Sequence, residues 1–119
     1  MKILVCDDEN DILQIVSLAL QKEYTVVTRN HVSDPIALLD EVQPDILLMD
    51  VWIPDIGGEE TVKILRQSEK YKDLPIYMFS ANNEIEKIAT RVKASGYISK
   101  PFSLSDLKKL VATAHQTRV

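Results

Sequence analysis

Five short apolar runs alternate with helix-length amphipathic stretches along this chain, and that rhythm restricts the fold more than any other feature. The runs are Lys2–Val5, which Cys6 extends, then Tyr24–Thr28, Ile46–Met49, Ile76–Phe79 and the very short Tyr97-Ile98. Short apolar or β-branched runs bounded by turn residues read as strands. Between them, apolar residues recur at three- and four-residue spacing. Ile12, Leu13, Val16, Ala19 and Leu20 do so within 10–23, and Ile36, Leu39 and Val42 do so before Pro44. Val62 and Leu65 follow Gly58 in a helix expected to reach about Ser68, and Ile85, Ile88, Ala89 and Val92 mark 84–93. Leu107, Leu110, Val111 and Ala114 mark a last helix expected to fray near His115. Strands joined by helical crossovers predict an α/β domain, a doubly wound five-stranded parallel sheet with helices on both faces. The first, third and fourth runs are the most apolar and belong at the centre, the second and fifth at the edges. With 119 residues the chain makes one domain, 1–119, and is too short for two.

Local signals support the same elements. Asn10 can cap the first helix, and Ser33-Asp34-Pro35 opens the second with Ser33 as N-cap and proline in the first turn. Glu59 and Lys63 pair at i,i+4. Ser103-x-x-Asp106 has a capping-box pattern. Tyr71–Leu74 reads as a polar loop, and Gly96 as a break before the fifth strand.

Charge and composition exclude several functions. A net charge of −4 with no basic cluster argues against direct nucleic-acid binding. No stretch approaches the ~20 apolar residues that span a bilayer, so no membrane insertion is expected. The start of the chain lacks a signal-peptide layout, and a cytoplasmic protein is the default expectation. Cys6, the single cysteine, lies in an apolar run and reads as a buried, inert thiol. His31 has no histidine or cysteine near it in sequence and reads as a surface residue.

The chemistry lies where strands end. Asp7 and Asp8 follow the first strand, Asp50 the third, Ser80 the fourth and Lys100 the fifth. Asp50 alone has two readings, a solvated acid capping the next element or a functional acid at the carboxyl edge of the sheet, where ligands bind in such folds. Each of the other residues also has an ordinary role, as a cap, a dipole partner or an exposed lysine. Their coincidence at one rim is the informative fact. Three clustered carboxylates stay ionised together only with cationic compensation. Oxygen donors suit a hard divalent ion such as Mg²⁺, which uses one or two carboxylates together with phosphate oxygens. A lysine and a serine hydroxyl can hold the remaining phosphoryl oxygens. The economical chemistry is phosphoryl transfer onto one aspartate.

These residues also carry a resemblance. Asp7-Asp8, Asp50-x-x-x-Pro54-x-x-x-Gly58, Ser80-Ala81 and Tyr97-x-x-Lys100-Pro101 occur in order. With them the chain resembles, over essentially its whole length, the receiver domain of two-component response regulators. The resemblance implies a flavodoxin-like (βα)5 fold with strand order 2-1-3-4-5 and a phosphorylation-dependent switch in a phosphorelay. It implies that Asp50 is the phosphoacceptor and that Asp7, Asp8, Asp50 and the main-chain carbonyl of Trp52 hold Mg²⁺, with Mn²⁺ as a possible substitute. Lys100 pairs with the phosphoryl group, commonly from a cis Lys-Pro bond, and Ser80 hydrogen-bonds it. Ser80 and Tyr97 form the switch, and the altered surface is helix four, strand five and helix five, about residues 84 to 114. The implied partners are a histidine kinase, a histidine phosphotransfer protein or a small phosphodonor on one side and a downstream target protein on the other. Such a module assists its own modification with slow autodephosphorylation and is not a turnover enzyme.

The chain departs from the family pattern at Ile53, where methionine is usual, and in the segment from Ser80 to Lys100, which is shorter than usual with Ala94-Ser95-Gly96 replacing a longer loop. Trp52 is bulkier than most residues at its position and is expected to shield the acyl phosphate, while Asn82 is too short to position an attacking water well. Two other functions fit parts of the pattern. An aspartate-nucleophile phosphohydrolase would want Asp-x-Asp and room for a lid. A non-phosphorylated receiver-like interaction module would have lost Asp50, Lys100 or the acid pair, and all are present. No Gly-x-Gly-x-x-Gly follows the first strand, which argues against a dinucleotide site. No effector follows the fifth helix, so the domain is expected either to act alone through protein contacts or to belong to a longer regulator.

Overall fold

The structure, a computed structural model, describes residues 1–81 and 83–118, and the side chains of 1–81 and 83–114. Strands β1 (Lys2–Cys6), β2 (Thr25–Arg29), β3 (Ile46–Asp50), β4 (Ile76–Ser80) and β5 (Gly96–Ser99) alternate with helices α1 (Asn10–Leu20), α2 (Pro35–Val42), α3 (Gly58–Arg66), α4 (Ile85–Arg91) and α5 (Leu104–Arg118). All pairings are parallel, in the order β2-β1-β3-β4-β5. This is the flavodoxin-like doubly wound fold. Every residue of β3 is buried, whereas β5 alternates half-buried with exposed, as central and edge strands should.

The sheet divides the core in two. Leu4, Leu47, Met49 and Met78 face one layer with Leu39, Val62, Leu65 and Ile88 of α2, α3 and α4. Ile3, Val5, Ile46, Leu48 and Phe79 face the other with Val16, Leu20, Leu107 and Val111 of α1 and α5. Successive side chains on a strand point to opposite faces, so continuous apolar runs serve both layers. Cys6 is fully buried among them, and burial pushes its thiol up to about 12, so it is inert at neutral pH.

Several local expectations are corrected. Glu9, not Asn10, stands at the N-cap of α1, without a side-chain cap bond, and α1 ends at Leu20 in a turn. Asp34, not Ser33, caps α2, its Oδ1 accepting from the Ala37 N–H at 3.1 Å. A carboxylate there also answers the positive end of the helix dipole. α3 stops at Arg66, short of Ser68, and α5 runs to Arg118, past His115. Tyr71 and Leu74 are buried anchors and not parts of a polar loop, the Tyr71 hydroxyl donating to Asp40 of α2. Gly96 belongs to β5, where a Cβ would meet the Tyr77 ring at 2.9 Å. The Ser103 hydroxyl does accept from the Asp106 N–H at 3.0 Å. Asn82 lies outside the described residues.

Candidate functional site

Strand register assembles one rim from distant residues. Cys6 pairs with Met49, Asp50 with Phe79 and Ser80 with Ser99, which brings the ends of β1, β3, β4 and β5 to one level. The ladder continues beyond the strands, since Val51 donates to the Phe79 carbonyl and Lys100 to the Ser80 carbonyl. Parallel strands end at the same edge of the sheet, so each terminal polar residue emerges there.

Asp7, Asp8 and Asp50 each offer an oxygen within 4.8 Å of the others. Asp7 and Asp50 are buried, Asp50 with 2% exposure, and Asp8 is exposed. That burial removes the reading of Asp50 as a solvated capping acid. Lys100, preceding Pro101 through a cis bond, turns its ammonium into this cluster. Its Nζ donates to Asp7 Oδ2 at 2.7 Å and lies 3.7 Å from Asp50 Oδ1. The Phe79 ring lies beneath it, centroid 5.1 Å from Nζ, and Phe102 packs edge-on against that ring. Ser80 is fully buried at the end of β4.

The cluster carries more negative than positive charge. Burial pushes the Asp50 carboxyl up to about 6, and the charge of Asp7 adds to this. Lys100 and the Trp52 backbone N–H oppose it only in part. Burial likewise raises Asp7, against the pull of its hydrogen bond from Lys100. Burial alone would lower Lys100, but the Asp7 hydrogen bond and the Asp50, Asp7 and Glu9 charges hold it above its ordinary value. Clustered hard oxygen donors with uncompensated charge fit a divalent cation, so this is a candidate metal centre.

Two residues assigned to the site have exposed side chains, although the Trp52 backbone N–H reaches Asp50. Tyr97 on β5 is 41% exposed, and Trp52 is 65% exposed. Trp52 lines a cleft of about 370 Å³ with Ile53, Glu59, Lys63 and Ile88. Sequence reasoning missed Glu9, whose Oε1 lies 3.4 Å from Lys100 Nζ. The only available signal was its place as the third acid in Asp7-Asp8-Glu9.

A family model described as the response regulator receiver domain matches residues 3–112, and the chain belongs to that family. Membership supports a phosphorylation-dependent signalling role in a two-component system, and receiver domains are in general signalling switches. Among solved structures, the chain is similar to chemotaxis protein CheY4 of Vibrio cholerae, with 32% identity and a TM-score of 0.82, covering 95% of this chain and 97% of that one. It is also similar to the receiver domain of NtrX from Brucella abortus, with 25% identity and a TM-score of 0.86, covering 97% and 98%. Against a longer NtrX chain, 98% of this chain overlies 28% of that one, with 25% identity and a TM-score of 0.87. Among the described residues no helix is long and apolar enough to cross a membrane.

Proposed function

We propose that residues 1–119 form a single receiver domain in which Asp50 accepts a phosphoryl group from a histidine kinase, a histidine phosphotransfer protein or a small phosphodonor. The observation that carries this is Lys100 Nζ lying 3.7 Å from a buried Asp50 and 2.7 Å from Asp7. An Asp50 carboxylate oxygen attacks phosphorus, the bond from phosphorus to the donor breaks, and its electron pair leaves with the donor. Raised basicity makes the ionised Asp50 a better nucleophile than an ordinary aspartate.

Asp7, Asp8, Asp50 and the Trp52 main-chain carbonyl would hold Mg²⁺, or Mn²⁺ in its place. When bound, the ion would supply positive charge that offsets the charge of the phosphoryl group. Lys100 already bridges Asp7 and Asp50, so only a short swing brings its ammonium to a phosphoryl oxygen on Asp50. Ser80 would donate its hydroxyl to another. Drawing Ser80 toward the phosphoryl group vacates space beside β5, and the exposed Tyr97 turns inward. A few kcal/mol of differential contact suffices to shift such an equilibrium. The altered surface is α4-β5-α5, read by a downstream target protein. We place the domain in the cytoplasm, with no direct contact to nucleic acid and no membrane insertion.

Mass spectrometry after incubation with acetyl phosphate and Mg²⁺ tests this. A single phosphoryl adduct on the wild type and none on Asp50→Ala is the expected result. Absence of any adduct, under conditions that modify a known receiver, would overturn it.

A further inference from the structure

α4 is short, and apart from its apolar contacts it is fastened at its C-terminal end to α3. Arg91, its last residue, grips Glu59 with a two-pronged fork, Nε to Oε2 and Nη2 to Oε1, both at 3.0 Å. Fork-to-fork geometry of this kind fixes direction as well as distance. Glu59 is in turn held close to Asp50. It follows Gly58, whose N–H donates to the Val51 carbonyl at 3.0 Å and which packs against the Asp50 main chain. The fork therefore joins the start of α3, which packs against the candidate phosphoacceptor, to the far end of α4. Beside it runs the cleft lined by Trp52, Ile53, Glu59, Lys63 and Ile88.

The rest of α4 buries few side chains. It is seven residues long and lacks a side-chain N-cap bond. Only Ile85, Ile88 and Ala89 are buried. The loop after it is anchored separately, by Arg66 Nε donating to the Lys93 carbonyl at 2.8 Å. Release of Arg91 therefore frees the helix without freeing the loop. Glu59 would not be left without a partner, because Lys63 Nζ lies 3.7 Å away on the same helix. An exchange in which the carboxylate keeps one cation while losing another can switch at small cost.

We propose that Glu59 and Arg91 form a latch that holds α4 in its resting position and so sets how readily Asp50 takes up a phosphoryl group. The second half rests on the phosphoacceptor reading above, and the first half does not. The pair is largely exposed, with 56% of the Arg91 and 30% of the Glu59 side chain accessible, so its effect is modest. Exposed pairs of good geometry shift an equilibrium about two- to fivefold.

Two measurements on Glu59→Gln, Arg91→Gln, the double variant and Arg91→Lys decide the matter. The first is amide hydrogen exchange across residues 85–91 in the unphosphorylated protein. The latch predicts exchange about two- to fivefold faster in each Gln variant, no further gain in the double variant, and partial restoration in Arg91→Lys, which keeps the charge without the fork. Unchanged exchange, or full additivity, overturns it. The second is the rate of phosphoryl uptake from acetyl phosphate, expected to rise by the same factor. Faster exchange with unchanged uptake, in a protein that is phosphorylated, overturns the coupling. If the wild type takes up no phosphoryl group, the phosphoacceptor reading fails, and hydrogen exchange still decides the latch.

Discussion

The main-chain oxygen of Asp50 occupies the space that a Cβ on Gly58 would need, 2.1 Å from its ideal position. α3 can start this close to the end of β3 only because residue 58 has no side chain. The neighbouring Gly57 is glycine for a different reason. Its φ is +85°, and nothing lies within 4 Å of where its Cβ would stand.

The two glycines should therefore respond differently. Gly58→Ala forces backbone apart and is expected to cost about 3 kcal/mol. Gly57→Ala meets no neighbour but puts a side chain at φ +85° and ψ 157°, a region essentially reserved for glycine, at a cost of about 1–3 kcal/mol. Chemical denaturation of both variants measures the two costs, and a Gly58→Ala protein as stable as the wild type would contradict the close approach of Gly58 to the Asp50 main chain.

Asp50 should make stability depend on pH in the metal-free protein. Its folded pKa of about 6 lies above the unfolded value, so its contribution is complete below about pH 4 and is lost as pH rises through 6. The full loss is about 3 kcal/mol. Asp50→Asn removes the ionisation, so this variant should exceed the wild type in stability at pH 7.5 and lose the advantage at pH 4. Mg²⁺ at pH 7.5 should raise the wild-type melting temperature and leave Asp50→Asn much less affected. Denaturation across this pH range, with and without Mg²⁺, measures both effects.

Arg66 ties two loop segments together through main-chain carbonyls. Beyond Lys93, its Nη1 donates to Leu74 at 2.7 Å and Lys72 at 3.1 Å. Arg66→Ala strips hydrogen bonds from the partly buried Tyr71 and Leu74 carbonyls and is expected to cost about 1–3 kcal/mol. Hydrogen exchange should rise at 71–76 and 93–95 while β1 and β3 stay protected.

Trp52 stands two residues beyond Asp50, in the turn that follows β3, with most of its surface open to solvent. As a shield over the aspartyl phosphate, its ring would keep water from the acyl bond. Trp52→Ala should then admit water and shorten the lifetime of the phosphoryl group, measured as loss of the label over time. An unchanged or longer lifetime would count against shielding.

Much of this was legible in the chain. Strand apolarity separated central from edge positions because a strand covered on both faces cannot carry polar side chains. Asp7, Asp8, Asp50, Ser80 and Lys100 stood out because each interrupts or follows an apolar run at a strand end. Cap identity was harder to read, since Ser33 and Asp34 are both good caps and one residue of register decides between them. Tyr71 and Leu74 escaped notice because a tyrosine in a charged stretch carries no periodicity, and its burial depends on Asp40 of another helix.

What the sequence determined by itself is the order of elements and the chemical kind of residue at each strand end, because both follow from local periodicity and side-chain type. Which cation answers which acid was decided only by the tertiary structure. Lys100 reaches Asp7 across 93 residues, Glu9 joins them from the start of α1, and Arg91 meets Glu59 across 32. Those partners are set by how helices pack on a twisted sheet, and a single sequence holds no record of the distances that packing creates.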